Sequence, residues 1–242
     1  MGQHGEYRAL VRLWAAALLA GWLAAPVSAQ VPCRLALVLA LDVSSSVDAS
    51  EYVLQKEGLA EALLDPDVTG ALLAGGGGVA LSVYEWSGRR QNALVIDWTR
   101  LDTLADITTV VSRLRAAPRS QTRFPTAMGY ALGYGAGLLR RGPDCARRVI
   151  DLSGDGITND GFGPDLAYKH FPFDGVTVNG LAVLGADPMV VDYFTDEVRH
   201  GVGAFVETSE GYPGFRRAMT RKLLREIGGM VVGDSGRASP PG

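Results

Sequence analysis

Histidine and cysteine are scarce. Only His4, His170 and His200, and only Cys33 and Cys145, occur among 242 residues. That leaves no cluster of nitrogen and sulfur ligands of the kind zinc prefers. Serine hydrolase chemistry also lacks its parts, because no G-x-S-x-G elbow occurs. His170 lies beside Phe171 in an expected loop, and His200 falls at the end of an expected helix. A basic surplus is missing too: 23 Lys and Arg stand against 26 Asp and Glu, for a formal charge of −3. The charged residues of the first thirty, Glu6, Arg8 and Arg12, are net basic, so the remainder is more acidic still. Nucleic acid is therefore excluded as a partner, since phosphate binding needs a basic surface. No internal repeat is present, and beyond the first thirty residues no run is long and apolar enough to cross a bilayer.

What is there begins with a leader. Arg8 and Arg12 precede "LWAAALLAGWLAA", and "PVSAQ" follows, with Val27, Ser28 and Ala29 before Gln30. A basic start, a short apolar run and a small-residue end describe a secretory signal peptide over 1–29. The alternative, an uncleaved membrane anchor, has an apolar run short for a span. The expected protein is thus exported, periplasmic or extracellular, and has no transmembrane segment once the leader is removed. Both cysteines lie in the exported part, where oxidising conditions favour a disulfide over two buried thiols.

From Leu35 onward, near-continuous apolar runs alternate with amphipathic stretches. "LALVLALD", "RRVIDLSGDG" and "VTVNGLAVL" read as strands covered on both faces of a parallel sheet. "VALSVYEWS" and "NALVIDW", split by the turn "GRRQ", read as a hairpin. Helices are expected after the first strand, ending at Gly75 to Gly78, and then over Leu101 to Ala116, Ala127 to Leu139 and Met189 to about His200. A short strand "AFVET" precedes the last helix, whose Phe215, Met219, Leu223 and Ile227 recur at core spacing. Its Arg216, Arg217, Arg221, Lys222 and Arg225 then form a solvated charged face, the alternative being a membrane-lying basic helix. A tail over 228–242 is too rich in small and polar residues to build a core. The expected architecture is one α/β domain over 30–227: a doubly wound, mostly parallel sheet with one antiparallel edge strand and helices on both faces.

In such folds ligands bind beyond the carboxyl ends of the strands. Two acidic turns leave strands there: "DVSSS", with Asp42, Ser44 and Ser46 on alternate positions, and "SGDG", with Asp155. Asp and Ser also cap helices, so the first turn has a plain structural explanation. As a set, however, carboxylates and hydroxyls are hard oxygen ligands suited to Mg²⁺, Mn²⁺ or Ca²⁺. The cysteines bear on the same pairing, since Cys33 lies nine residues before Asp42 and Cys145 ten before Asp155. If the two strands are parallel neighbours rising equally per residue, aligned aspartates at one end put the cysteines near the same level at the other.

These motifs resemble the von Willebrand factor type A (VWA) domain. "DVSSS" matches its D-x-S-x-S element, "TAMGYAL" its T-x-x-G-x-A-L loop, and "DLSGDG" its aspartate turn, over about Leu35 to Ile227. Within that family, the early cysteine, "EWSG", "RRVIDLSGDG" and "VNGLAVL" look most like the exported bacterial DUF1194 proteins. The resemblance implies a metal-ion-dependent adhesion site (MIDAS). Ser44 and Ser46 would bind a divalent cation, Mg²⁺ first among Mg²⁺, Mn²⁺ and Ca²⁺, through their hydroxyls. Asp42 and Asp155 would bind it directly or through water, with Thr126 as a mobile fifth group. Thr122 is the other threonine that loop offers; Gly129, Ala131 and Leu132 complete the motif after Thr126. The implied activity is capture of a partner protein's Asp or Glu, not catalysis. The loops Asn159 to Asp174 and Arg119 to Pro125 would choose the partner.

Ser45, Ser153 and Asp160 are close by and read as turn or cap residues. "SGDGITND" also resembles the acidic loop of haloacid-dehalogenase-type phosphatases. Those pair it with D-x-D-x-T, whereas Ser44 here occupies the general-acid position and cannot protonate a leaving group at neutral pH. A remaining alternative is a VWA-like domain whose metal site does not function.

Overall fold

The computed structural model describes residues 33–75 and 77–228. The expected leader lies outside the described residues, as does the expected tail apart from Gly228. Six strands form one sheet in the order β3-β2-β1-β4-β5-β6. They are β1 (Cys33–Asp42), β2 (Gly78–Trp86), β3 (Asn92–Leu101), β4 (Arg147–Gly154), β5 (Val176–Val183) and β6 (Val206–Ser209). All neighbours pair in parallel except β2 and β3, the hairpin, which puts the antiparallel strand at one edge. The doubly wound α/β architecture read from the sequence is the one found.

Helices cover both faces, and β1 shows why. Leu35, Leu37, Leu39 and Leu41 point into one core with α1 (Ala49–Leu63), α2 (Pro66–Leu73), α3 (Leu104–Ala116) and α7 (Phe215–Gly228). Ala36, Val38 and Ala40 alternate to the other core. There they meet α4 (Met128–Arg141), α5 (Pro164–His170), and α6 (Val190–Tyr193) with the π-turn Phe194–Val198 that continues it. Small residues on that face of β1 match the glycine-rich α4. A Cβ on Gly135 would stand 3.0 Å from Ile150 Cδ1 and 3.1 Å from the Tyr84 hydroxyl. The helix therefore packs so close to the sheet that a larger residue there would make its neighbours shift by a few tenths of an ångström, and Tyr84 donates to the Ala131 carbonyl at 2.7 Å.

Several expectations need correction. The first helix does not run on to the glycines: it stops at Leu63, Asp65 caps a new helix, and Pro66 occupies its first turn, where no N–H is needed. The helix expected from Leu101 starts at Leu104, because β3 continues to Leu101 and Thr103 with Asp106 forms a capping box. Within the expected loop Asn159 to Asp174 lies α5, opened by Pro164. In α7 the apolar stripe is buried as expected, but Lys222 is not on the solvated face; it is 0% exposed.

Cys33 and Cys145 are joined by a disulfide, with Cα atoms 4.5 Å apart. Every paired residue of β1 and β4 differs by the same 112 positions that separate the two cysteines. The cross-link thus continues the strand register at the end opposite the acidic turns.

Candidate functional site

Asp42 ends β1 and is fully buried; Asp155 follows β4 and is 2% exposed. The register places Gly154 level with Asp42, so Asp155 sits one residue further along the adjacent strand. A Cβ on Gly154 would lie 3.0 Å from Asp42 Oδ2, and the glycine lets β4 pass beside that carboxylate. Ser44 N–H donates to Asp42 Oδ1 at 2.7 Å. The Ser44 and Ser46 hydroxyls are 3.0 Å apart, and Ser46 Oγ donates to Asp155 Oδ1 at 2.7 Å. Four expected ligands thus form one continuous chain of contacts across two strand ends.

The capping explanation for this turn fails. Helix α1 is capped by Asp48, which accepts from Ser50 and Glu51 N–H while Glu51 Oε2 accepts from Asp48 N–H. Asp42, Ser44 and Ser46 are left with no capping task.

The threonine loop comes to the same end of the sheet. Ser45 N–H donates to the Phe124 carbonyl at 2.8 Å, and Ala127 N–H to the Ser87 carbonyl at 2.9 Å. Thr126, between those anchors, is 4% exposed, whereas Thr122 is exposed. Asn159 fixes Thr126 from both sides, its Oδ1 accepting from Thr126 N–H at 2.9 Å and its own N–H donating to the Thr126 carbonyl at 3.0 Å. Ser153, read from the sequence as a turn or cap residue, instead lies within β4 and donates across the sheet to the Ala40 carbonyl, and Asp160 forms an ion pair with Arg89 at 2.7 Å.

Three supporting residues escaped the sequence reading. Gln55 donates to the Asp42 carbonyl at 2.8 Å. Arg119 spans the β1–α1 turn, its guanidinium donating to the carbonyls of Val43, Ser44, Val47 and Asp48. Tyr212 is 3% exposed in the short 3₁₀ turn Tyr212–Gly214 that leads into α7. No local pattern marks them, because each acts across the fold on a turn distant in sequence.

The electrostatics are unbalanced. Burial, then the neighbouring Asp155, pushes the Asp42 carboxyl up to about 7. Burial also raises Asp155, against the hydroxyls of Ser46 and Tyr212, which favour its charged form, while Asp187 adds further negative charge. Arg119 is the cation that acts on Asp42, weakly, and its donors are spent on carbonyls. Asp42 Oδ2, Asp155 Oδ2, Trp86 Nε1, Ser87 Oγ and the Tyr212 hydroxyl are all buried without a hydrogen-bond partner. Such atoms are rare in folded proteins and mark a place for an ion or ordered water. Among the described residues no three His, Cys, Asp or Glu side chains cluster as a metal site. The set here instead joins two carboxylates to hydroxyls, as hard cations accept.

The model of the DUF1194 family, described as a protein of unknown function, matches residues 32–231. The chain belongs to the DUF1194 family. No match is found among curated proteins. Solved structures share its fold. Proximal thread matrix protein 1 from the mussel byssus, in a form with a zinc-occupied MIDAS motif, superimposes with a TM-score of 0.59 at 17% identity, over 81% of this chain and 48% of that one. A von Willebrand factor type A protein from Catenulispora acidiphila gives 0.59 at 15% identity, over 81% and 43%. The PilB minor pilin of Streptococcus sanguinis gives 0.62 at 12%, over 82% and 62%. The chain therefore spans less than two thirds of each of these proteins, and the likeness is one of fold. This DUF1194 chain has a VWA-like fold, with the acidic turns beyond the carboxyl ends of its strands, the place where open α/β sheets in general bind ligands.

Proposed function

We propose that the chain is an exported VWA-type binding module. It holds a divalent cation through Asp42, Ser44, Ser46, Thr126 and Asp155 and captures an Asp or Glu of a protein partner. The observation that carries this reading is the pair of buried carboxylates, each with an unpartnered oxygen, that meet across two serine hydroxyls with no protein cation bonded to either. A bound cation would neutralise both carboxylates and offer an open coordination position to an acidic side chain. The chain's own residues set the rest. Gln55 and Arg119 hold the β1–α1 turn by its carbonyls, and Asn159 holds Thr126. An all-oxygen set with three hydroxyls favours Mg²⁺ over softer ions, although the mussel byssus relative bears zinc at its motif.

Export is supported by the Cys33–Cys145 disulfide, which oxidising compartments favour, and by fold neighbours that include a pilin. No helix among the described residues is long and apolar enough to cross a membrane. Phe124 in the threonine loop and Phe171 after α5 are each 38% exposed and offer apolar contacts to a partner.

Calorimetric titration of chelator-stripped protein with Mg²⁺ tests the ion site. Saturable binding is expected in the wild type and is lost in Asp42→Ala and in Asp155→Ala; a wild type that binds neither Mg²⁺ nor Mn²⁺ overturns the reading. Capture of exported proteins with and without chelator tests the bridge. If Asp42→Ala, Ser44→Ala and Asp155→Ala all retained the captured partner, the ion would not be the bridge.

A further inference from the structure

Charge is sorted among the loops that surround the carboxyl-end face of the sheet. The β2–β3 turn over 87–91 and the threonine loop over 117–127 carry Arg89, Arg90, Arg119 and Arg123 and no acid. The four other connections at that face, 43–48, 155–163, 184–189 and 210–214, carry Asp48, Asp155, Asp160, Asp187 and Glu210 and no base. The strand order β3-β2-β1-β4-β5-β6 turns this into a polarity across the face, with cations at the β2 and β3 side and acids from β1 to β6. Asp42 and Asp155 stand on the border. Backbone bonds hold the basic loops against them: Ala127 N–H donates to the Ser87 carbonyl, and Ser45 N–H to the Phe124 carbonyl. A chain with a net charge of −3 has thus gathered four arginines beside its candidate binding site.

Two of the four have work inside the fold. Arg89 pairs with Asp160, and Arg119 donates to the carbonyls of the β1–α1 turn. Arg90 and Arg123 are exposed, and among the described residues neither guanidinium has an ion pair or a hydrogen bond. The loops that carry them touch at Phe124, where a Cβ on Gly88 would stand 3.3 Å from the Phe124 Cβ. Phe124 is itself 38% exposed, so the basic sector holds an apolar contact as well. The other flank is of opposite sign. Asp187 lies beside Gly156, the residue after Asp155, at 3.9 Å from where a Cβ there would stand. Single exposed arginines are ordinary solvated surface; a basic sector bonded to the serine turn on one flank and faced by an acid on the other gives a ligand a direction.

We infer that the partner segment is acidic beyond the one carboxylate that the ion takes. It lies from the ion toward the β2–β3 turn, with further Asp or Glu side chains over Arg90 and Arg123 and an apolar side chain on Phe124. The inference rests on the cation reading above and deepens it: the ion selects one carboxylate, and the arginines select its neighbours and the direction of the segment. Guanidinium suits this task because its fork of donors matches a carboxylate. A segment laid the opposite way would bring its extra acids against Asp187, and like charges set against each other across an interface are costly.

The test uses three dye-labelled pentapeptides with phenylalanine at the centre and four glutamates, one glutamate or none around it, glutamine filling the remaining places. Each is titrated with the purified chain in Mg²⁺ and followed by fluorescence anisotropy. The peptide with four glutamates is expected to bind about tenfold more tightly than the peptide with one, the worth of two exposed ion pairs. That preference is expected to shrink as salt is raised, because exposed charges are screened, and chelator is expected to release both peptides. The double variant Arg90→Glu with Arg123→Glu is expected to lose the preference while calorimetry still shows saturable Mg²⁺ binding. Equal affinity for the two acidic peptides, no binding of any peptide to the Mg²⁺-loaded chain, or a preference that persists in the double variant overturns the inference and leaves the cation site standing. Peptide binding that survives chelator also overturns it, since the arginines would then recruit acid without the ion. Absence of saturable Mg²⁺ binding in the wild type removes the cation reading and this inference with it.

Discussion

Two buried acidic clusters lie on the same face of the sheet, and the chain treats them differently. Asp151, Ser153 and Asp155 occupy alternate positions along β4 and just past its end, so all three point toward the α1 and α7 layer. At Asp151 the chain supplies its own cation. Lys222 of α7, 0% exposed, lies 2.9 Å from Asp151 Oδ1 and 2.6 Å from Glu226 Oε1. Asn179 Nδ2 donates to that same Glu226 oxygen at 2.9 Å, and Phe205 N–H donates to Asn179 Oδ1 at 3.0 Å. Four residues further on, at Asp155 and Asp42, the equivalent cation is missing and hydroxyls stand in its place. One cluster holds its cation inside the fold, although Asp151 Oδ2 and Glu226 Oε2 lack a hydrogen-bond partner there as well. The other is left open at a strand end, where solvent can supply the charge, and this contrast is the physical reason for reading the second as a binding site.

Removing the internal cation breaks the comparison most severely. Lys222→Met leaves Asp151 and Glu226 facing each other in the core without a counter-charge, and breaking a buried pair costs about 3–5 kcal/mol. Urea unfolding is expected to register that loss, and a change under about 1 kcal/mol would mean that Lys222 does not hold the cluster together. The matching change at the open end has the opposite character. Asp42→Asn retains an acceptor for Ser44 N–H and removes a buried charge with no protein cation bonded to it. Its stability in chelator is expected to stay within about 1 kcal/mol of the wild type or to exceed it, as when a functional charge is removed from a strained site. Its stabilisation by Mg²⁺ is expected to disappear. If Asp42→Asn proved as damaging in chelator as Lys222→Met, the open end would be a structural network like the closed one.

Much of the open cluster was legible in the sequence and almost none of the closed one. The run "LALVLALD" shows a buried strand, and the break into Asp42, Ser44 and Ser46 shows where it ends. The near-equal offset of aspartates and cysteines, nine residues against ten, anticipates the β1–β4 pairing to within one residue, because parallel strands rise equally per residue. Lys222 was misread for a physical reason. An i, i+4 Lys–Glu pair on an amphipathic helix has the same sequence pattern whether it faces water or core. What buries Lys222 is Asp151, 71 positions away in the chain. Tyr212 and Arg119 were missed similarly, since a tyrosine before Pro-Gly and an arginine after proline announce only turns. Helix boundaries at Leu63 and Leu104 were recoverable in principle from Asp65-Pro66 and from Thr103 with Asp106, both of them start signals.

The mildest probe of the comparison is pH. Burial, then Glu226, pushes the Asp151 carboxyl up to about 8, against the attraction of Lys222. One ammonium and one proton then serve two carboxylates, and the closed cluster is neutral only while the proton stays. A carboxyl whose pKa is higher folded than unfolded binds more protons in the folded state between the two values, so stability falls as pH rises through that window. In metal-free protein, a gradual fall in unfolding free energy is therefore expected from about pH 4 toward pH 8. Asp151→Asn removes the titrating group from the closed cluster and is expected to flatten the fall, leaving the part that Asp42 contributes with the same sign. Mg²⁺ acts on that remainder alone, since an ion bound at the open end stabilises charged Asp42 and does not touch Asp151. A profile that flattens with Mg²⁺ but not with Asp151→Asn would place the whole pH response at the open end and would show that Lys222 keeps Asp151 ionised throughout.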